Sequence, residues 1–243
     1  MVIALLFTGC TVQGFDAGGK ECTSQLACPD PYQCEELGAE KRLVCVRVLA
    51  FAQGAEPSPS YVGAADAFVS ELTPARLPGA DLTVRVDGDE ANNQSNKKDV
   101  ALLRWSLEDP AVPPVETLYA VAIDLQVTDP TIASFDLFPL RKNWNEAQAS
   151  WSNASSSVPW EAPGASGPSD RGPTPVGVVD AKSIGRYRTW LNPAGELLIK
   201  DWLANPSHNQ GFALEGDHYD AVVFVAREDK VKAAPPRLVL YFQ

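Results

Sequence analysis

The chain has 243 residues, of which 45% are hydrophobic and 21% are charged, a composition that supplies enough apolar side chains for a folded core. Its formal net charge of -11 argues against a nucleic-acid-binding protein, because phosphate backbones bind basic surfaces, and it disfavours strongly anionic partners in general. Twenty prolines and 17 glycines exceed what a helical protein usually carries, and they favour an all-β chain with many turns.

The first ten residues are short and apolar, and they end in the sequence FTGC at Cys10. This ending resembles the lipobox of a bacterial lipoprotein, in which small residues precede the cysteine that receives the lipid. We therefore predict a lipoprotein-type signal peptide at residues 1–10, lipidation of Cys10 and a tether at residues 11–21. A plain secretory signal and a buried N-terminal strand are the alternatives.

The other four cysteines fall within a short segment, residues 22–46, and they are Cys22, Cys28, Cys34 and Cys45. So short a segment cannot bury enough surface to fold alone, so we predict a mini-domain held by two disulfides. The spacings of five, five and ten intervening residues differ from the paired short spacings of a zinc site. Three pairings are possible, and the interlocked one, Cys22–Cys34 with Cys28–Cys45, is favoured because interlocked loops are common in small domains.

Residues 47–60 begin apolar and end in prolines and serines, which predicts a linker before a main domain at residues 61–243. Alternation of apolar and polar residues predicts short strands there. They lie at residues 66–70, 82–86, 100–106, 120–127, 134–138, 176–179, 185–190, 211–215, 221–226 and 237–242. One helix is predicted at residues 191–205, because Asn192 suits the N-cap and Pro193 the first turn. These elements predict an all-β fold, a jelly-roll β-sandwich with one short helix.

Several segments of the main domain stand in an order that resembles a known family. They are ADAFVS at 65–70, LTVRVDG at 82–88, ALLRWSL at 101–107, AVAIDLQV at 120–127, FDLFPLRKNWNEAQASWSNA at 135–154, YRTW at 187–190, ELLIKDWLANPSHNQGFAL at 196–214 and PPRLVLYF at 235–242. The chain resembles the DNRLRE-domain family, also called disaggregatase-related, which overlaps a carbohydrate-binding-module family known for binding alginate. The resemblance implies a jelly-roll module of secreted bacterial and archaeal surface proteins.

Three of the six tryptophans lie between residues 141 and 160, where sugar binding is the chemistry to test. A sugar ring stacks its C–H face on an aromatic ring, and its hydroxyls bond planar polar side chains. Trp160 lies in a loop rich in serine, proline and glycine, and we predict that it is the most exposed candidate. Trp144 and Trp151 share the family's pattern, with packing in the core as the alternative for each. We predict that Trp105, Trp190 and Trp202 are buried structural residues.

Cationic side chains near the tryptophans extend this expected site. Arg141, Lys142 and Arg171 are candidates to pair with the carboxylate of a uronate, with ordinary surface charge as the alternative. Structural calcium is a further expectation, because acidic turns offer hard oxygen ligands. The candidates are Asp87, Asp89, Asp217 and Asp220, although their spacing is not that of an EF-hand loop and solvated turns are the alternative.

Catalysis finds little support in the sequence. No Ser/His/Asp or Cys/His arrangement is evident, and acid–base work by Asp217 and Asp220 or a lyase set of His208, Tyr187 and Arg188 are the open enzymatic alternatives. The leading hypothesis is a non-catalytic protein, lipid-anchored to the bacterial envelope or cell surface, that binds a polysaccharide or other cell-surface glycan. The alternatives are an adhesive module that binds protein partners and a polysaccharide lyase accessory.

Overall fold

The computed structural model describes residues 17–23, 26–37, 42–88, 97–218 and 220–243. The predicted signal peptide with Cys10, most of the predicted tether and Asp89 lie outside these residues. The chain divides after Arg47 into a small N-terminal unit, which also includes Gln243, and a larger unit of Val48–Phe242. Within the described part of the chain, no helix has both the length and the apolar character needed to cross a bilayer.

Two disulfides hold the small unit together, Cys22–Cys34 and Cys28–Cys45. This is the interlocked pairing that the sequence favours. Strand β1 (Gln33–Leu37) pairs antiparallel with the first half of β2 (Arg42–Phe51), and the pairing places Cys34 opposite Cys45. Ala17, Cys22 and Cys45 form a buried cluster, and Leu37, Val44 and Val46 of the two strands are also buried, so the cross-links form one part of the core of the unit.

The predicted linker at residues 47–60 is corrected by the structure, because residues 48–60 belong to the larger unit. The apolar run that opens the segment continues strand β2, and Phe51 is completely buried in the main core. Glu56 accepts a hydrogen bond from the Arg237 guanidinium at 2.8 Å. The prolines and serines therefore mark a turn that packs on the domain and not a spacer.

The described residues of the larger unit form the remaining strands, one helix and two short 3-10 turns. The strands are β3 (Ala64–Ser70), β4 (Thr83–Val86), β5 (Asp99–Trp105), β6 (Leu118–Asp129), β7 (Phe135–Pro139), β8 (Asn153–Ser155), β9 (Val158–Pro159), β10 (Gly177–Val179), β11 (Gly185–Trp190), β12 (Phe212–Glu215), β13 (Val222–Val225) and β14 (Arg237–Phe242). The helix is α1 (Pro193–Ala204), and the 3-10 turns are Val115–Thr117 and Pro206–His208. Asn192 caps α1 by accepting the Gly195 N–H at 3.0 Å, as the sequence predicts.

Two antiparallel sheets form the predicted β-sandwich. In the larger unit, one sheet has the order β2-β14-β6-β13-β4, with β11 also paired to β6, and the five-stranded sheet has the order β10-β7-β12-β5-β3. From β3 to β7 successive strands alternate between the sheets, as expected of a jelly roll. Alternate residues point inward, so Val121, Ile123 and Leu125 of β6 face Phe212 and Leu214 of β12 across one core.

A third layer covers the outer face of the five-stranded sheet. We call residues 141–170 the tryptophan layer, because Trp144 and Trp160 pack there against outward-facing side chains of the sheet. Those side chains include Val100 and Leu102 of β5, whereas the neighbouring Leu103 faces the main core. The five-stranded sheet is therefore apolar on both faces, and the larger unit has two cores separated by this sheet.

Candidate functional site

The two most important sugar-stacking candidates lie inside the protein. Trp144 and Trp160 are only 2% and 4% exposed. The indole N–H of Trp144 donates to the Gln210 carbonyl at 2.9 Å, and that of Trp160 donates to the Ser150 carbonyl at 3.0 Å. The prediction that Trp160 is exposed is therefore wrong, and packing, the alternative reading for Trp144, is what the structure shows.

Trp151 is partly exposed and packs against the second core. Its ring lies on Gly164, which has a φ of +74°, and a Cβ at that glycine would come within 2.6 Å of the indole. Any side chain at Gly164 would displace the ring. Glycine is therefore needed here both for the positive φ of the turn and for the close contact between the indole and the backbone. The remaining tryptophans follow the prediction at Trp105 and Trp202, which are buried, whereas Trp190 is partly exposed.

A buried carboxylate, Asp170, holds the end of the tryptophan layer in place. The Asp170 side chain is completely buried and pairs with the Lys142 ammonium at 2.6 Å. It also accepts the backbone N–H groups of Glu161, Ala162 and Gly167 at 2.9, 3.0 and 3.1 Å. Burial alone would raise the pKa of Asp170, but the hydrogen bonds from Glu161, Lys142 and Ala162 outweigh it and hold this pKa below its ordinary value.

We expect Asp170→Asn to lower the free energy of unfolding by about 2–4 kcal/mol at neutral pH, because a neutral amide cannot satisfy the same donors. Because the folded-state pKa of Asp170 is depressed, its contribution is present above the ordinary value of 3.8 and is lost as the pH falls through the lower folded value. Urea unfolding of both proteins at a series of pH values measures this. Asp217→Asn, at a carboxylate that is 87% exposed, is the control and should change little.

Two predicted cationic residues, Arg141 and Arg171, border the same surface depression. Arg141 is exposed and donates to the Pro168 carbonyl at 2.9 Å. Arg171 is less accessible, because its guanidinium lies over the Phe138 ring at 4.3 Å and pairs with Glu215. The structure therefore brings these two arginines together and leaves Arg141 the better placed to reach a ligand.

This depression is one of three neighbouring depressions at one end of the five-stranded sheet. Their volumes are about 380, 450 and 330 Å³. The first and second share Trp202, Ser207 and Gln210, and the second and third share Arg141 and Gly172. We call the surface that they line together the end groove, and its polar side chains are Arg104, Ser106, Glu108, Asn143, Asp201, Ser207, His208, Asn209, Gln210, Arg141, Ser166 and Arg171.

The strand ends explain why these distant residues meet. Strands β5 and β7 end where β12 begins, so Arg104, Leu140 and Gln210 come from one end of neighbouring strands. Asn209 fixes that end by donating to the Trp105 carbonyl at 2.7 Å and accepting the Gly211 N–H at 3.2 Å. Gly211 has a φ of +81°, and a Cβ there would lie 2.2 Å from the Leu103 carbonyl, so β12 can begin there only with glycine.

Arg104 is the central cation of the first depression. Its guanidinium lies over the Trp144 ring at 5.1 Å and donates to the Asn143 side chain at 2.9 Å. Burial lowers the pKa of Arg104, and the charge of Glu146 partly offsets this, but an arginine remains cationic throughout the physiological range. The depression thus presents a preorganised guanidinium beside a planar amide, a set of groups that bonds vicinal hydroxyls or a carboxylate.

The residues of the lyase alternative, His208, Tyr187 and Arg188, have different structural surroundings. His208 pairs with Asp201 at 2.8 Å in the end groove, and this hydrogen bond is the main reason that the pKa of Asp201 is lowered. Tyr187 and Arg188 are neighbours on β11 and therefore point to opposite faces of the sheet. The Tyr187 hydroxyl accepts the Asp180 N–H at 3.1 Å, whereas Arg188 makes a two-point pair with Asp124.

The three calcium candidates that the structure describes each have a protein partner. Asp87 pairs with Arg85, and Asp217 pairs with Lys98. Asp220 accepts the Ile132 N–H at 2.6 Å. Among the described residues, these acids do not form a group of three converging ligands.

Sequence reasoning missed Arg104, Asn143 and Gln210 as groove residues. Arg104 stood in a predicted strand, and an arginine within an apolar strand was the available signal. Asn143 and Gln210 carry no local signal, since only the strand pairing brings them together. In comparisons with known proteins, no protein-family model matches the chain and no curated protein is significantly similar to it.

Proposed function

We propose that the chain is a non-catalytic carbohydrate-binding protein of the cell exterior, and that a polysaccharide binds along the end groove. The resemblance to the DNRLRE-domain family, carried by segments in matching order, supports this proposal. So do the two disulfides, which form and persist in oxidising compartments. Export through residues 1–10 and lipidation of Cys10 belong to the same proposal.

The observation that carries the proposal is the row of three neighbouring depressions that form the end groove. Three depressions joined through shared residues suit an extended polymer better than one compact ligand, which would need a single deep cavity. Each depression is a few hundred cubic ångströms in volume, on the scale of one or two sugar residues. Consecutive sugars of a chain would then occupy consecutive depressions.

The chemistry of the groove fits hydroxyl-rich ligands. Guanidinium groups of Arg104 and Arg141 donate in planar pairs, and the amides of Asn143 and Gln210 both donate and accept. The two arginines would also pair with the carboxylate of an acidic sugar. The buried Trp202 lines the first two depressions and supplies an apolar floor.

We expect Arg104→Ala and Arg141→Ala each to weaken polysaccharide binding. Loss of one charge-assisted hydrogen bond costs about 1.5–3 kcal/mol, which corresponds to roughly 10- to 150-fold in affinity. A glycan array with the wild-type protein identifies the ligand, and affinity electrophoresis or calorimetry with that ligand measures the variants. Arg186→Ala is the matched control, because Arg186 is an exposed arginine on β11, outside the end groove.

Two results would contradict the proposal. One is a wild-type protein that binds no glycan above background while capturing a defined protein from envelope extracts, which would favour the adhesive alternative. The other is glycan binding that Arg186→Ala weakens as much as the groove variants. Circular dichroism and melting temperatures of each variant separate lost binding from lost folding.

A further inference from the structure

Three carboxylates from distant parts of the chain meet around one arginine. Asp66 lies on β3, Glu146 belongs to the tryptophan layer, and Glu228 follows β13 directly after Arg227. One carboxylate oxygen from each acid lies within 4.8 Å of the others. Asp66 is 3% exposed, and the side chains of Glu146 and Glu228 are 15% and 19% exposed.

The contacts within this group satisfy most of the oxygens. Arg227 donates through its side chain to both oxygens of Glu146, and its Nε lies 2.9 Å from Glu228 Oε1. The Arg227 backbone N–H donates to Asp66 Oδ2 at 2.8 Å, and the Asp66 N–H donates to Glu146 Oε1 at 2.7 Å. Asp66 Oδ1 and Glu228 Oε2 are buried and have no hydrogen-bond partner.

A carboxylate oxygen that is buried without a partner is costly, so something must compensate it. Three carboxylates face one guanidinium, so the group carries two uncompensated negative charges when all three acids are ionised. Calcium binds carboxylate oxygens at about 2.3–2.6 Å, so two oxygens on one ion lie at most about 5 Å apart. The spacing of the three acids and the uncompensated charge both match one divalent cation.

We propose that Asp66, Glu146 and Glu228 form a binding site for one divalent cation, with calcium as the preferred ion and Asp66 Oδ1 and Glu228 Oε2 as two of its ligands. Calcium is preferred over magnesium because it accepts irregular oxygen sets, whereas magnesium requires near-octahedral geometry. The ion would join β3, the tryptophan layer and the turn after β13, three parts of the chain that are far apart in sequence. This site is separate from the acidic turns at Asp87 and Asp217.

A shared proton is the rival occupant of the same oxygens. Burial, opposed by the Arg227 backbone hydrogen bond and reinforced by the charge of Glu228, raises the pKa of Asp66 to about 8. Without a cation, the folded protein then retains a proton that the unfolded chain loses near pH 3.8, so stability falls as the pH rises between these values. A cation that replaces the proton should therefore stabilise the protein more as the pH approaches the upper value.

The test is calcium binding and thermal unfolding of the full chain after chelator treatment and dialysis. At about 100-fold excess over its Kd, calcium chloride should raise the Tm of the wild type by roughly 5–10 °C, with a smaller effect of magnesium chloride. Equilibrium dialysis should find one calcium ion per chain. Glu228→Gln should lose the ion and the Tm shift, and Asp217→Asn, the matched control at an exposed carboxylate, should keep both.

The proposal is overturned if the wild type binds no calcium, or if Glu228→Gln binds it as tightly as the wild type. It is also overturned if the Tm falls as the pH rises towards the pKa of Asp66 and calcium does not restore it, because a proton is then the occupant. Asp66→Asn gives an additional readout, since it should remove the calcium effect. If that variant does not fold, Glu228→Gln and the wild-type stoichiometry decide.

Discussion

Replacing Trp144 by alanine is expected to lower the free energy of unfolding by about 3–5 kcal/mol, the usual cost of deleting a buried aromatic side chain. The indole fills the second core, bonds the Gln210 carbonyl and supports the Arg104 guanidinium. Because small domains have only about 5–15 kcal/mol of stability, the loss should be visible as a large shift of the urea midpoint.

Two further variants separate packing from recognition at this position. Trp144→Phe keeps most of the apolar volume but removes the indole N–H, so it should cost about 1–3 kcal/mol, mainly for the unpaired carbonyl. Leu197→Ala, at a side chain that is 67% exposed, should stay within about 0.5 kcal/mol of the wild type. A Trp144→Ala protein with wild-type stability and no glycan binding would show that this indole is a ligand platform after all.

Removing either disulfide is the second change with a large expected effect. Cys28→Ala/Cys45→Ala should destabilise the small unit by about 2–4 kcal/mol, because the cross-link restricts the unfolded chain and Cys45 belongs to a buried cluster of the unit. Trypsin should then cut readily at Lys20, Arg42 or Arg47. The larger unit contains no cysteine, so its cooperative unfolding should persist.

The matched control for the disulfide experiment is Cys10→Ala, which removes a cysteine outside the two cross-links. That variant should resist trypsin as the wild type does. Equal protease resistance of the wild type and of a protein lacking both cross-links would contradict the role assigned to them. Mass spectrometry of the fragments locates the cuts.

The strands of the larger unit are largely predictable because their sequences alternate. β11 and β14 begin and end at the predicted residues, and β6 extends the predicted strand by two residues at each end. Alternation reports which side chains share a face, and one buried face is enough to define a strand. Strands β8 and β9 were missed because they are only three and two residues long and lie among serines.

Burial of the tryptophan layer could not be predicted from local composition. Serine, proline and glycine around Trp160 correctly indicate a turn-rich backbone, but they do not report what the side chain contacts. The signal that was present lay elsewhere, in β5, where Val100 to Leu103 are apolar without alternation. Such a run indicates a strand that is covered on both faces. Another segment of the chain must therefore cover the outer face of β5, and the tryptophan layer is that segment.

Arg141 and Arg171 are the residues of the candidate site that the sequence analysis selected as ligand-binding candidates. These two arginines, named together as candidates to bind a carboxylate, border one depression. Arg104 and Gln210 come close to them only because strands β5 and β12 pair. These residues are about a hundred positions apart, and no local pattern encodes that meeting. The acidic group at Asp66 was missed for the same reason, since its members come from three separate segments.

The double role of β5 shapes how sequences of this kind can diverge. Leu102 packs in the second core and Leu103 packs in the main core. A substitution at either position is therefore constrained by a different set of close-packed neighbours. Exposed side chains in the connections at the strand ends contact neither core, and they carry no such double constraint. Mutational drift should therefore accumulate around the rim, where ligand preference could be retuned while the interior stays as it is.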